Sequence, residues 1–415
     1  MPGRAVVAWN TVIAGCSKWA RPELCLDLFR KMLGKDYCGS DNWTLSAVMN
    51  SCSEMCEPCY GHMVHGFVIQ TGWENAVEVS NSVLSFYIKF GEEDEILKAV
   101  EAVRTFNEVS CNVIIEAYMK IGNLKEACRV FQSLPKRNLI SSTSMIAGCV
   151  RNGHEEQALN LFIDLMRSFI RPDDVTLGVV LHACSNLAAL SRGQAVQGHV
   201  IKSGFLAYCY VGNSLVNMYA KCGDILDARR AFEDIPLKDL ISWNTMLFAF
   251  GLHGQSVRAL RVLKEISASG LRPDKVTFIG LLMACSHSGL IDKGISLFES
   301  MSLKYGLQPD TDHIACVVDM LVRGGKFEKA EEFVNKHSAG MDHIARERKK
   351  VAIGEGLSPR KYPRQGALDW GGQKNGEDKN ILISDNSSTM EFGSSAAWLN
   401  YVISRILTPP ILETC

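Results

Sequence analysis

The chain has 415 residues, 47% of them apolar, with 44 basic against 45 acidic side chains. This composition excludes a disordered or collagen-like polymer, and the near-zero net charge excludes a global basic field that would gather nucleic acid or anionic membrane. The 15 cysteines are spread through a long chain without a secretory signal, so a reducing compartment is expected. No apolar stretch is long enough to span a bilayer, which predicts no contact with a membrane.

The beginning of the chain carries no recognisable targeting segment. Patterned sequence starts directly after residues 1–4 and leaves no room for a transit peptide rich in Arg and Ser. The sequence therefore predicts either a cytosolic protein or a copy that starts late.

Internal repeats dominate the sequence. The phrase VTLGVVLHACS at 175–185 recurs as VTFIGLLMACS at 276–286 and as WTLSAVMNSCS at 43–53, and two further phrases recur between these copies in a constant order. Units of about 31 and 35 residues alternate along the chain. The predicted units are 6–41, 42–76, 77–107, 108–138, 139–173, 174–208, 209–239, 240–274, 275–310 and 311–336.

Each unit has the pattern of two helices. In 139–173, apolar residues recur at helical spacing in two runs that Gly153 separates, and Arg171-Pro172-Asp173 ends the second run. The second runs carry a small residue followed four positions later by a large one, as in Ala158 and Phe162. A single hairpin cannot bury such a face, so stacked hairpins in an all-α solenoid are predicted.

These units resemble pentatricopeptide repeats. Phrases such as ISWNTML, MYAKCGDILDARRAF and RPDKVTFIGLLMACSHSGL are similar to the plant class in which P, L and S motifs alternate, here in the order P-L-S-S-P-L-S-P-L-S. The resemblance implies a right-handed α-solenoid superhelix of about ten repeats. It also implies a protein of mitochondria or chloroplasts that binds single-stranded organellar RNA, typically to select a cytidine for C-to-U editing.

The resemblance also implies which side chains would face the RNA. In the family, the fifth residue of a unit and its last residue face the edge of one base, and we call these two residues the reading pair. The reading pairs predicted for RNA binding are Asn10 with Asp41, Asn81 with Asn107, Asn112 with Asn138, Thr143 with Asp173, Asn213 with Asp239, and Asn244 with Asp274. All six pairs are polar and can donate or accept hydrogen bonds at a base edge.

The family's code converts these pairs into a target sequence. Asn with Asp implies uracil, Thr with Asp implies guanine, and Asn with Asn implies a pyrimidine. The L units give no assignment, because their pairs are Ser46 with Ala76, Gly178 with Tyr208, and Ile279 with Asp310. The expected target, from its 5′ end, is U-x-Y-Y-G-x-U-U.

Two alternatives remain open from the residues alone. The Asn residues can be ordinary helix-start residues and the Asp residues caps of the next helix. A stack of helical hairpins can also be a protein-binding scaffold of the tetratricopeptide type that never contacts RNA.

The sequence predicts no metal, no cofactor, no small-molecule substrate and no catalytic activity. Cys56, Cys59, His62 and His65 are capable zinc ligands, but they run from a turn into a helix and His65 corresponds to Gln197 in a sister unit. A zinc deaminase requires His-x-Glu upstream of Pro-Cys-x-x-Cys, and here that order is reversed. Any editing activity would therefore need a protein partner that carries the deaminase.

The last part of the chain departs from the repeats. Residues 337–415 have no repeat register and contain RERKK at 346–350 and stretches rich in Gly, Asn and Ser. We expect a disordered tail or an altered reading frame there.

Overall fold

The structure is a computed structural model that describes residues 2–19, 21–35, 39–55 and 58–337. The predictions for the tail after residue 337, and that for Cys56, fall outside these ranges. Within them all regular structure is helical, with twenty α-helices, two short 3-10 turns and no strand. The all-α prediction is confirmed.

The helices follow one another as antiparallel hairpins. Their bounds are α1 Pro2–Lys18, α2 Pro22–Lys35, α3 Asn42–Glu54, α4 Pro58–Thr71, α5 Val77–Phe90, α6 Glu93–Ala102, α7 Glu108–Lys120, α8 Leu124–Ser133, α9 Leu139–Arg151, α10 Glu155–Arg167, α11 Asp174–Asn186, α12 Leu190–Ser203, α13 Cys209–Lys221, α14 Ile225–Glu233, α15 Leu240–Leu252, α16 Ser256–Ala268, α17 Lys275–Ser288, α18 Ile291–Tyr305, α19 Thr311–Arg323 and α20 Phe327–His337. The 3-10 turns are Trp73–Asn75 and Phe205–Ala207. The odd-numbered helices are the first helices of the hairpins, and the even-numbered ones are the second helices.

In several hairpins the turn between the two helices depends on glycine. Gly153 between α9 and α10 has φ of 73°, and Gly223 between α13 and α14 has φ of 89°. These angles lie in the left-handed region, which a residue without a Cβ adopts at little cost. The glycine thus ends the first helix and lets the chain reverse into the second.

The described chain divides into two compact units, one up to Ser242 and one from Trp243 onward. In the first, each first helix packs against the next first helix, in the series α1, α3, α5, α7, α9, α11 and α13. The second helices pack beside them, as α10 does on α9 and α11. The second unit repeats this arrangement, with α17 packed on α16, α18 and α19.

The second helices bury the small and large residues that the sequence pattern singles out. Ala127, Ala158 and Ala228 have no exposed surface, and Phe131 and Phe162 are 5% and 6% exposed. The small side chain allows a close helix approach while the ring four residues later fills the adjacent space.

The repeated cysteines of the first helices belong to the core. Cys52, Cys184 and Cys285 are fully buried. Burial raises the pKa of Cys52 to about 12 and that of Cys184 to about 11, so both thiols stay protonated near neutral pH. They act as small apolar core residues.

Among the described helices, none combines the length and the apolar character that crossing a membrane would require.

Candidate nucleic-acid interface

One face of the first helices carries the predicted reading residues. Successive residues turn by about 100° around an α-helix, so the second, fifth and thirteenth residues of a unit lie within an arc of about 80°. The last residue of the unit precedes the next first helix and so lies beside this face. The second, fifth, thirteenth and last residues of successive units therefore lie along one face of the first helices.

The last residue of each reading pair caps the following first helix. The carboxylate of Asp41 accepts the backbone N–H of Thr44 at 2.9 Å, and Asp274 accepts that of Thr277 at 2.8 Å. The same contact to the third residue of the next helix is made by Asn107, Asn138, Asp173 and Asp239. These last residues therefore do act as helix caps. Only the Oδ1 atom makes the capping contact, so the Oδ2 or Nδ2 atom is left for a second partner.

Two reading pairs are joined by direct hydrogen bonds. Asn10 Nδ2 donates to both carboxylate oxygens of Asp41, at 2.9 and 2.7 Å. Asn244 Nδ2 donates to Asp274 Oδ1 at 3.2 Å. In both pairs the amide oxygen accepts the hydroxyl of the third residue of the next unit, Thr44 or Thr277.

Thr143 and Asp173 meet through a third side chain. Thr176 Oγ1 lies 2.5 Å from Asp173 Oδ1 and 2.6 Å from Thr143 Oγ1. Because a carboxylate only accepts, the Thr176 proton is directed to Asp173 and the Thr143 hydroxyl donates to Thr176. The lone pairs of Thr143 then remain as acceptors.

The other three reading pairs have no hydrogen bond between their members within the described part of the chain. In each, the amide oxygen of the fifth residue is buried and, among the described residues, has no hydrogen-bond partner; the three residues are Asn81, Asn112 and Asn213. A buried acceptor without a donor is unusual in a folded protein. These three units share the short length of 31 residues.

In the three units predicted to be L motifs, the fifth residue is buried or in contact with the next unit. The Tyr210 ring occupies the space above Gly178, where an added Cβ would lie 2.3 Å from a ring carbon. Ser46 Oγ lies 2.7 Å from Ser82 Oγ in the next unit, and Ile279 is 5% exposed. These contacts give a physical reason why the three L units have no polar reading pair.

We expect Gly178→Ala to destabilise the protein. The added methyl group would overlap the Tyr210 ring, and overpacking of this kind costs about 1–3 kcal/mol, more than the helix-propensity gain of about 1 kcal/mol. Denaturant unfolding measures the change. The matched control is Gly198→Ala, because a Cβ at Gly198 meets nothing within 4 Å and should stabilise helix α12. Equal effects of the two substitutions would contradict the packing seen at Tyr210.

Sequence reasoning missed a row of exposed apolar residues at the second position. Ile140 is 64% exposed and Val109 is 57% exposed, although both are large and β-branched. Val7, Trp43, Val175 and Ile241 are exposed at the same position. Their regular recurrence beside the reading residues was the signal that could have identified them, since scattered exposed apolar residues would not keep a repeat register.

A column of cations at the thirteenth position was missed as well. The last turn of the first helix carries Lys18, Lys89, Lys120, Arg151, Lys221 and Arg323. In the L units this place holds Glu54, Asn186 and His287. The near-neutral total charge hid this column, which becomes visible only when charges are counted by repeat position.

Lys221, a member of this column, belongs to a chain of polar side chains that connects neighbouring units. Its Nζ donates to Asn186 Oδ1 at 3.3 Å, and Asn186 Nδ2 donates to Glu155 Oε1 at 3.0 Å. Burial lowers the pKa of Lys221, while the charge of Glu155 acts in the opposite direction. Side chains of three successive units are thus linked at this cation.

Acid should weaken the cap at Asp41. Burial raises the pKa of this carboxyl, but the hydrogen bonds from Thr44 and Asn10 outweigh it and hold the pKa below its ordinary value. A lowered native pKa gives stability that is present above the unfolded pKa and is lost as pH falls through the native pKa. We expect the unfolding temperature to fall below about pH 4, and to fall less in Asp41→Asn, which keeps a capping side chain without a titrating group. The measurement is the unfolding temperature of both proteins as a function of pH. An equal fall in the two proteins would show that Asp41 does not contribute to the acid sensitivity.

The two histidines among the candidate zinc ligands contact Tyr87. His65 Nδ1 lies 2.8 Å from the Tyr87 hydroxyl, and the sister residue Gln197 accepts the Tyr219 hydroxyl at 2.5 Å. His65 thus forms the same contact between helices as Gln197. Within the described residues, no group of three or more potential ligands could hold a metal ion.

Comparison with known proteins identifies the repeat. The sequence profile of the pentatricopeptide repeat (PPR) matches residues 7–37, 109–139, 140–168, 213–240, 241–271 and 276–304. The chain is 53% identical over 340 residues to the Arabidopsis thaliana pentatricopeptide repeat-containing protein At2g36980, mitochondrial, a match that covers 82% of this chain and 54% of that protein. It is 30% identical over 332 residues to At3g57430, chloroplastic, of the same plant, covering 80% of this chain and 35% of that protein. The chain thus spans about half or less of the length of these relatives.

Solved structures show the same fold. The crystal structure of the pentatricopeptide repeat protein PPR10 in complex with an 18-nt psaJ RNA element matches with a TM-score of 0.64 and 17% identity, over 86% of this chain and 56% of that one. PPR10 from maize matches with a TM-score of 0.55 and the same identity, over 86% of this chain and 60% of that one. The described helices are accordingly an α-solenoid of helical hairpins, and the described residues include no catalytic domain. From its repeats, its fold and its relatives, the chain belongs to the pentatricopeptide repeat family of plant proteins.

Proposed function

We propose that this protein binds single-stranded RNA and assigns one nucleotide to each helical hairpin. The observation that carries this proposal is the recurrence, on one face of the first helices, of a polar reading pair, an exposed apolar residue and a cation. These are the three kinds of group that a nucleotide requires, because it has a polar base edge, an apolar base face and a charged phosphate.

Each group has a definite role in this proposal. The reading pair bonds to the base edge and sets the preferred base. The second residues, such as Ile140 and Val175, pack against the base faces, since both are large, apolar and exposed. The cations at the thirteenth position, such as Lys120 and Arg151, attract the phosphates.

The unpartnered amide oxygens of the short units support this proposal. Asn81 and Asn213 are each 8% exposed, and their Oδ1 atoms have no donor within the described chain. The imino group of uracil and the amino group of cytosine are donors of this kind. A pyrimidine thus complements these units chemically.

The array belongs, in this proposal, to the class with alternating P, L and S motifs. Its biological role is RNA processing in an organelle, as a specificity factor for C-to-U editing whose catalytic activity a partner supplies. The relatives named mitochondrial and chloroplastic support a mitochondrial or chloroplast location, and the PPR10 complex supports RNA as the ligand.

A gel-shift titration tests the proposal. The labelled RNA carries U-x-Y-Y-G-x-U-U, and the competitor is a scrambled RNA of the same composition. We expect preference for the designed target by at least tenfold, since about 1–3 kcal/mol is available at each discriminating position. Absent or equal binding would reject the RNA function and favour the protein scaffold.

A further inference from the structure

The fifth residues fall into two structural classes. Asn10, Thr143 and Asn244 are each bonded to a threonine hydroxyl of the next unit, whereas Asn81, Asn112 and Asn213 have an amide oxygen without a partner among the described residues. The first class belongs to the long reading units and the second to the short ones. Asn213 with Asp239 and Asn244 with Asp274 have the same residue types, so the classes differ in something other than the reading pair.

The difference lies in the third residue of the following unit. It is Thr44, Thr176 or Thr277 after the long units and Ser110, Ser141 or Ser242 after the short ones. All six side chains are almost or completely buried. The serine hydroxyls bond to the cap residue alone, as Ser242 does to Asp239 at 2.8 Å.

Threonine makes two contacts from the same place. Thr277 Oγ1 donates its single proton to Asn244 Oδ1 at 2.8 Å and accepts the backbone N–H of Asp274 at 3.2 Å. Asn244 Nδ2 in turn donates to Asp274 at 3.2 Å. These contacts join the three residues in a closed ring, in which both ends of the amide are held.

A held amide presents a defined edge. The two orientations of an asparagine amide have nearly the same shape but exchange a donor for an acceptor. In the ring, the carboxylate selects the Nδ2 end and the hydroxyl selects the Oδ1 end, and one donor hydrogen and one lone pair remain for a base. Without the hydroxyl, Asn244 would keep one bond and a buried oxygen with no donor, because its side chain is only 3% exposed.

We propose that Thr44, Thr176 and Thr277 are positioning residues that orient the reading side chain of the preceding unit and sharpen its choice of base. This inference rests on the proposed RNA function and adds a determinant outside the reading pair. It makes the long reading units more selective than the short ones. The nucleotide facing 240–274 is therefore discriminated more strongly than the one facing 209–239, although both reading pairs are Asn with Asp.

The test measures dissociation constants for RNAs that carry each of the four bases at one of these two nucleotides. The proteins are the wild type, Thr277→Val, Thr277→Ser and, as a matched control, Ser242→Ala. Valine keeps the shape of threonine without the hydroxyl, and serine is the residue that the short units carry at this place. Ser242→Ala removes a capping hydroxyl that makes no contact with a reading amide. Circular dichroism shows whether each variant is folded. Each variant should also keep the wild-type base preferences at the nucleotides that face the other units.

We expect Thr277→Val to reduce the preference for U facing 240–274 by at least fivefold and to leave the preference facing 209–239 unchanged. Thr277→Ser should lose a similar share of the preference, because the serines at this place bond to the cap residue alone, and Ser242→Ala should change neither preference by more than twofold. If wild type discriminates bases at both nucleotides and Thr277→Val retains this discrimination, the positioning role is wrong while the RNA function stands. If wild type discriminates at neither nucleotide, the proposed function itself fails.

Discussion

The Thr143→Asn variant is expected to change the base preferred at the fifth nucleotide of the target from G to U. The substitution makes the reading pair of 139–173 identical to that of 240–274, where Asn244 contacts both Asp274 and Thr277. Thr176 already lies 2.6 Å from Thr143 and 2.5 Å from Asp173, so the same three kinds of side chain would be present. If a reading pair contributes about 1–3 kcal/mol, the ratio of affinities for U and G should change by about tenfold or more.

Four RNAs that differ only at the fifth base measure this change. Affinity for substitutions at other nucleotides should stay the same, since repeat units contact only their neighbours. Thr143→Val provides the control, because it keeps the size of threonine and removes the hydroxyl without offering an amide. An unchanged ranking of the four bases in Thr143→Asn would mean that the register or the RNA function is wrong.

The periodicity of the sequence was sufficient to predict the fold. Helix ends depend on local signals such as Gly153 and the residues before Pro172, and these signals recur in several units. Burial also follows from the pattern, because Ala158 and Phe162 recur four residues apart. Because the helix-end signals and the burial pattern both indicate helical hairpins in unit after unit, few folds other than a stack of hairpins fit the sequence.

The contacts of the reading residues were less predictable. A sequence pattern treats Asn213 and Asn244 alike, and only the structure shows that one amide is bonded at both ends and the other has an orphaned oxygen. The partner of Asn244 is Thr277, 33 residues away, and nothing local indicates that its hydroxyl reaches back to the previous unit. Tyr210 fills the space above Gly178 by the same kind of contact between units.

Neutralising four cations of the thirteenth-position column, all within the compact unit that ends at Ser242, should produce the largest loss of RNA affinity. The variant replaces Lys89, Lys120, Arg151 and Lys221 by Gln, which keeps helix propensity and removes the charge. For single-stranded nucleic acid, each phosphate contact contributes about 0.7 to the slope of log affinity against log salt. Losing four contacts should therefore lower the slope by about 3 and the affinity by up to about three orders of magnitude near 0.1 M salt.

A second variant with the same change in net charge separates local phosphate contacts from general electrostatics. It replaces four exposed cations of the second helices by Gln: Lys125, Arg129, Arg167 and Arg229. Three of these side chains form ion pairs with acids on their own helices, as Arg129 does with Glu126 at 2.7 Å. If only total charge matters, both variants lose affinity equally, and the thirteenth-position column has no special role.

The remaining explanation for the column is electrostatic stabilisation of the helices themselves. Cations in the last turn interact favourably with the helix dipole, at about 0.3–1 kcal/mol each, so the first variant should also unfold somewhat more easily. That effect lowers stability without changing the salt dependence of RNA binding. Denaturant unfolding and binding titrations from 0.05 to 0.5 M salt thus distinguish the two roles. A reduced stability with an unchanged slope would assign the cations to the helix ends and remove them from the RNA interface, whereas a slope that falls while the ranking of bases is kept would place the phosphates along this column.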